Sequence, residues 1–147
     1  MDAKSPNPSV ETLLHAFLPH KFIAQCHANT ILSVTNQPDG KALSAALCAK
    51  LAPVVPYAMS GLELARCAAD AFETAPDSVG LILMKHGLVS FADDGRTAYY
   101  NMLALVAQAE AHISLPDAQT VMLEQEGDSA GLLFFLGQVP GRLAELT

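Results

Sequence analysis

Apolar and polar positions alternate along this chain in two rhythms, and the change from one rhythm to the other outlines a set of elements. Ser9 stands before the run 10–18, where apolar positions recur at helical spacing, and Pro19 ends that run. The pattern predicts a short helix with Ser9 as its N-cap. Phe22-Ile23-Ala24-Gln25-Cys26-His27 is short, largely apolar and free of breakers, as in a buried strand. A short helix is expected over 28–34, a turn at Asn36-Gln37-Pro38-Asp39-Gly40, and a further helix over 41–51. Pro53-Val54-Val55-Pro56-Tyr57 suits a strand at a sheet edge, where proline's missing N–H does no harm.

Ser60 is placed to cap an alanine-rich helix over 61–74, with Leu62, Ala65, Ala69 and Phe72 along one face. Val79-Gly80-Leu81-Ile82-Leu83-Met84-Lys85-His86 is the most continuous apolar run and reads as a strand ending in polar residues. Leu88-Val89-Ser90-Phe91 reads as a second short strand. Asp93-Asp94 opens a long helix to about His112, its carboxylates lying at the positive helix end. After Pro116 a strand or helix start at 119–124, an undecided core segment at 131–136 and a terminal helical turn at 142–146 are expected. Helices alternating with strands describe an α/β layered domain.

Composition narrows the function more than the fold. At 147 residues the chain suits one domain with one substantial core. Fifteen acidic against eight basic residues leave a net charge of −7, which argues against general affinity for nucleic acid or anionic membranes. An anionic substrate would need a local positive site or a metal to offset that field. No stretch qualifies as a membrane span, and the opening residues carry no apolar signal segment. Cys26, Cys48 and Cys67 show no recurring spacing, so free thiols in a reducing cytoplasm are the expectation.

Of the five histidines, position raises the odds for two. His27 and His86 each close an apolar strand, and strand ends of an open α/β sheet are where ligands bind. Two imidazoles arriving from separate strand ends can hold a divalent metal. Gln25 and His27 share one face of their strand, whereas Cys26 points the other way and is expected as a buried thiol.

The order of three motifs resembles the class II aldolase/adducin family. Glu11-Thr12-Leu13-Leu14-His15 is similar to its pattern of Glu, three residues, His. Gln25-Cys26-His27-Ala28 stands where the family usually has two histidines one residue apart, and Met84-Lys85-His86-Gly87 resembles its third metal-ligand segment. The segments 18–22 and 35–40 look like the subgroup fused to short-chain dehydrogenases and related to rhamnulose-1-phosphate aldolase. The resemblance runs from about Pro8 to His112.

It implies a three-layer α/β/α sandwich, incomplete at the N-terminus, forming a single partial domain over residues 1–147. It also implies a cytoplasmic, homo-oligomeric lyase that cleaves a phosphorylated ketose to dihydroxyacetone phosphate and an aldehyde, using zinc or another divalent metal. Carried over by residue, His27 and His86 are metal ligands, Glu11 is the acid/base, and Gln25 replaces the usual third histidine. An enediolate left beside a carbonyl is the charge that a Lewis-acid metal would stabilise in such a reaction. A neutral amide oxygen is a far weaker zinc ligand than an imidazole, so Gln25 predicts reduced metal affinity. The family's glycine-containing phosphate loop has no counterpart ahead of Glu11. A catalytically degenerate domain serving assembly or binding, or a fragment of a longer bifunctional protein, is the alternative. His15 is expected to pack, with support of Glu11 as the alternative, Lys85 to be solvated or to aid an anionic substrate, and Tyr99 and Tyr100 to pack in the core or at a subunit contact.

Overall fold

A computed structural model of the chain describes residues 7–48 and 51–113. The segments expected beyond Pro116 lie outside the described residues. Within them, helix α1 (Thr12–Phe17) precedes strand β1 (Phe22–Cys26), followed by α2 (Asn29–Thr35) and α3 (Gly40–Cys48). Then come β2 (Val54–Val55), α4 (Leu62–Thr74), β3 (Gly80–Leu83), β4 (Gly87–Ala92) and α5 (Gly95–Ile113). The strands form one sheet in the order β1-β4-β3-β2.

Connection lengths explain this order. β2 and β3 are joined through α4 and pair in parallel, Val54 opposite Ile82 and Val55 opposite Leu83. A crossover helix is the ordinary way to bring two successive strands parallel. β3 and β4 are joined by a tight turn and pair antiparallel, from Gly80 opposite Ser90 to Leu83 opposite Gly87. β1 closes the other side of β4, also antiparallel, with Cys26 opposite Leu88.

The period-2 alternation of the strands divides the core in two. Leu81, Leu83, Val89 and Phe91 point to one face and bury against Leu14 and Leu18 from the α1 region and Leu64, Ala65 and Ala68 of α4. Ile82 and Leu88 point to the other, against Ile31 and Val34 of α2 and Leu105 and Ala109 of α5. Helices therefore cover both faces, giving the α/β/α sandwich. No helix among the described residues is long and apolar enough to cross a membrane.

Four local expectations are corrected. Ser9 does not cap α1: its Oγ accepts the Glu11 N–H at 3.2 Å, and its carbonyl accepts the Thr12 N–H at 3.1 Å. It thus shapes the turn ahead of the helix and leaves Glu11 at the N-cap position. Ser60 does not cap α4 either, because Gly61, at φ 115°, occupies that position. Of the expected α4 face, Ala65 and Phe72 meet the core, but Leu62 is exposed and Leu64 and Ala68 are buried in its place. Several stripes of an alanine-rich helix satisfy helical periodicity, and contact with α1 and the sheet selects one. Finally, β1 is half-buried, because it is the outer strand of the described sheet.

Candidate metal centre

Antiparallel pairing of β1 with β4 sets the geometry of the polar cluster. Cys26 is opposite Leu88, so the next residue, His27, comes level with the start of β4. His86 is not at a strand end as expected; it is the last residue of the turn between β3 and β4. That turn uses a left-handed Lys85 (φ 58°) and Gly87 at φ 147°. A Cβ on Gly87 would collide with the Cys26 carbonyl. The missing side chain lets the hairpin close onto the end of β1 and brings His86 to His27.

Four side-chain atoms meet there. His27 Nε2 lies 3.2 Å from His86 Nε2, and 3.3 Å from Glu11 Oε1. His86 Nε2 is 2.8 Å from the same Glu11 oxygen. Gln25 Nε2 is 2.7 Å from Glu11 Oε1 and 3.3 Å from each imidazole nitrogen. Gln25 and His27 share a face, and Cys26 packs on the opposite side with the α2–α5 core, where burial raises its thiol pKa. The cluster lies at a half-open edge: the side chains of His86, Glu11 and His27 are 17%, 24% and 55% exposed.

Partial burial of Glu11 favours the neutral acid. The His86 and Gln25 hydrogen bonds and the charges of His27 and His86 outweigh it, leaving the carboxyl below the ordinary glutamate range. Glu11 is therefore a carboxylate at neutral pH.

Protons alone cannot satisfy this arrangement. Gln25 Nε2 has two hydrogens and each imidazole Nε2 at most one. Six close pairings share them, three of which face nitrogen to nitrogen, and the pairing of the two imidazoles needs one of them bare, which leaves three hydrogens. A central cation would resolve the conflict. Ligands about 2.0–2.1 Å from a tetrahedral zinc stand about 3.3–3.4 Å apart. The separation of the two imidazole nitrogens and their distances to Gln25 approach that value. Glu11, His27 and His86 form the group among the described residues able to offer three such ligand atoms.

Two neighbours were misread from sequence. His15, expected to pack, is exposed, and its Nε2 lies 3.3 Å from Gln25 Oε1. The signal for it was its spacing of one helical turn from Glu11, which puts both on one side of α1. Ser60 Oγ lies 3.5 Å from His86 Nδ1. No local pattern marks Ser60, because only the tertiary fold joins it to a residue so far along the chain. The remaining candidates stay outside: Lys85 is exposed, and Tyr99 and Tyr100 lie at the surface of α5, 37% and 57% exposed rather than in the core. His20 stacks on Phe91 with centroids 4.3 Å apart and serves the core.

Comparison with known proteins places this geometry in context. Residues 1–113 match the family described as Class II Aldolase and Adducin N-terminal domain. The chain is 32% identical over 114 residues to the "Uncharacterized oxidoreductase YuxG" of Bacillus subtilis (strain 168), covering 78% of this chain and 16% of that protein. Among solved structures it is similar to the N-terminal class II aldolase domain of a conserved protein from Thermoplasma acidophilum. That match has 37% identity and a TM-score of 0.65, over 76% of this chain and 51% of the other. An aldolase II superfamily protein from Pseudomonas syringae shares the fold, with 17% identity and a TM-score of 0.60, over 99% of this chain and 66% of the other.

Proposed function

The chain belongs to the class II aldolase and adducin family, and from that premise we propose that it is a metal-dependent aldehyde-lyase acting on a phosphorylated ketose. The products would be dihydroxyacetone phosphate and an aldehyde. One observation carries the reading: Glu11, His27 and His86 converge in a cluster whose close contacts cannot all be hydrogen bonds.

The donor set fits zinc or a similar divalent ion. His27 and His86 would hold it through Nε2, and Ser60 lies where it can accept the Nδ1–H of His86 and fix that tautomer. A bound divalent ion would supply Lewis acidity at the substrate's carbonyl oxygen. Glu11, ionised at neutral pH, takes the proton from the reacting carbon in the condensation direction and returns it there in cleavage. The phosphate, an anion meeting a chain of net charge −7, gains from local positive charge, which Lys85 at the turn can provide. A cytoplasmic homo-oligomer completes the reading.

The purified chain should contain about one divalent ion and cleave a ketose 1-phosphate in a chelator-sensitive manner. Metal-free protein that remains inactive with added zinc would refute the reading. Gln25 motivates a second reading, a binding or assembly domain that keeps the fold without the chemistry. Under it, Gln25→His would restore zinc binding and cleavage that the parent lacks.

A further inference from the structure

The fourth corner of the cluster is where this chain departs from a three-histidine site. Gln25 Nε2 occupies it, facing Glu11 Oε1 and both imidazole nitrogens. An amide nitrogen cannot coordinate a cation there, because its lone pair is delocalised into the carbonyl and its hydrogens point outward. The amide oxygen can. Rotation by about 180° about the last side-chain bond exchanges the two atoms almost in place.

We propose that Gln25 is an oxygen ligand of the divalent cation, its amide turned over on binding and held there by His15. This rests on the metal-dependent reading above. With the amide in this orientation, Gln25 Nε2 donates to the Glu11 carboxylate at 2.7 Å, and Gln25 Oε1 lies 3.3 Å from His15 Nε2, which can donate to it. With a cation bound, Oε1 turns inward. Two acceptor oxygens so close together repel unless a positive charge lies between them, so the turned amide belongs to the bound state. The displaced NH2 then donates to a bare His15 Nε2. His15 serves both orientations by changing tautomer, and acts as a positioning residue through Gln25.

The exchange alters which ion the site favours. Two imidazole nitrogens with a carboxylate and an amide oxygen form a harder donor set than three imidazoles with a carboxylate. Carboxylate and carbonyl oxygens suit manganese, and two histidines with one carboxylate suit iron(II). Zinc's advantage over manganese is therefore smaller here than in a three-histidine site.

The test is equilibrium binding of Mn2+ and Zn2+ to the chelator-stripped full chain, each against a competing chelator, with circular dichroism confirming the fold. Gln25→Ala should weaken Mn2+ binding about tenfold or more, whereas Gln25→Glu, which keeps an oxygen at the corner and adds charge, should bind Mn2+ at least as tightly as the parent. Gln25→His should widen the preference for Zn2+ over Mn2+ by about tenfold. His15→Phe should weaken both ions about tenfold, and His15→Gln, which retains an acceptor, should recover part of that loss. Parent-like binding in Gln25→Ala, or a tenfold loss of Mn2+ affinity in Gln25→Glu, would overturn the proposal while leaving a Glu11–His27–His86 metal site standing. Binding of zinc by Gln25→His but of neither ion by the parent would overturn both the proposal and the metal-dependent reading.

Discussion

The metal-centre corner and the sheet interior directly behind it solve opposite problems with adjacent residues. In the interior, Leu81, Ile82, Leu83, Leu88 and Val89 are all at most 1% exposed. Their packing is non-directional and self-consistent, and the buried Ser90 hydroxyl is satisfied by the Ala98 carbonyl at 2.7 Å. At the corner, one residue beyond β1 and one before β4, four polar atoms crowd together with too few protons to join them. The Ser90 hydroxyl is matched by its partner, whereas hydrogen bonds alone do not match the corner.

Gly87 joins the two regions and should give the largest effect. It opens β4, and a Cβ there would meet the Cys26 carbonyl at a φ that side chains rarely adopt. Gly87→Ala should cost on the order of 4 kcal/mol in urea unfolding and also displace His86, lowering metal affinity in the fraction that folds. A variant with parent stability and affinity would show that the hairpin does not depend on this close approach.

Glu11→Gln tests the corner alone. It removes the negative charge beside the two imidazoles and should weaken zinc binding about a hundredfold, or about 2.7 kcal/mol by the usual conversion. The metal-free chain should unfold at a modestly lower urea concentration than the parent at neutral pH, since the partners that lower the Glu11 carboxyl pKa favour its ionised form in the fold. A large stability loss without metal would mean that Glu11 holds the fold and that the two regions are not separable.

How much of this was legible in advance divides along the same line. The Leu81–Leu83 and Leu88–Phe91 strands, the long final helix and the assignment of Cys26 to the core follow from periodicity, which is local. The convergence of Glu11, His27 and His86 follows the three ordered motifs that singled them out. His15 carried a partial signal in its spacing from Glu11, whereas the Ser60 contact was hidden, because its partner is delivered by tertiary structure. The errors in capping share one cause. Serine before an apolar run is a sound cap signal, but Gly61 and Glu11 took the cap positions once the chain had to turn sharply.

Ile82→Val is the control in the other direction. Ile82 is 1% exposed and packs on the α2–α5 side of the sheet. Removing one methyl group should cost about 1 kcal/mol in urea unfolding and leave zinc affinity within error of the parent. A change in affinity would place the sheet interior inside the function of the corner.

The smallest effect concerns a second carboxylate and shows why the Glu11 arrangement is unusual. Asp94 Oδ1 accepts the Thr97 N–H at 2.9 Å, and its carbonyl accepts the Ala98 N–H at 3.1 Å, so it caps α5. The Thr97 side chain and backbone hold its carboxyl below the ordinary aspartate range, with a smaller contribution from the Arg96 charge. Glu11 is lowered by residues from two distant segments, the end of β1 and the β3–β4 turn, and Asp94 by its immediate neighbours. The sign follows from the depressed folded value. Asp94 contributes stability above the ordinary aspartate pKa and loses it as pH falls through the lower folded value. Asp94→Asn keeps the cap oxygen and removes the charge. At neutral pH it should destabilise the chain less than Ile82→Val, and the difference from the parent should shrink as urea midpoints are followed into acid. A gap that stayed constant with pH would assign the contribution of Asp94 to hydrogen-bond geometry alone.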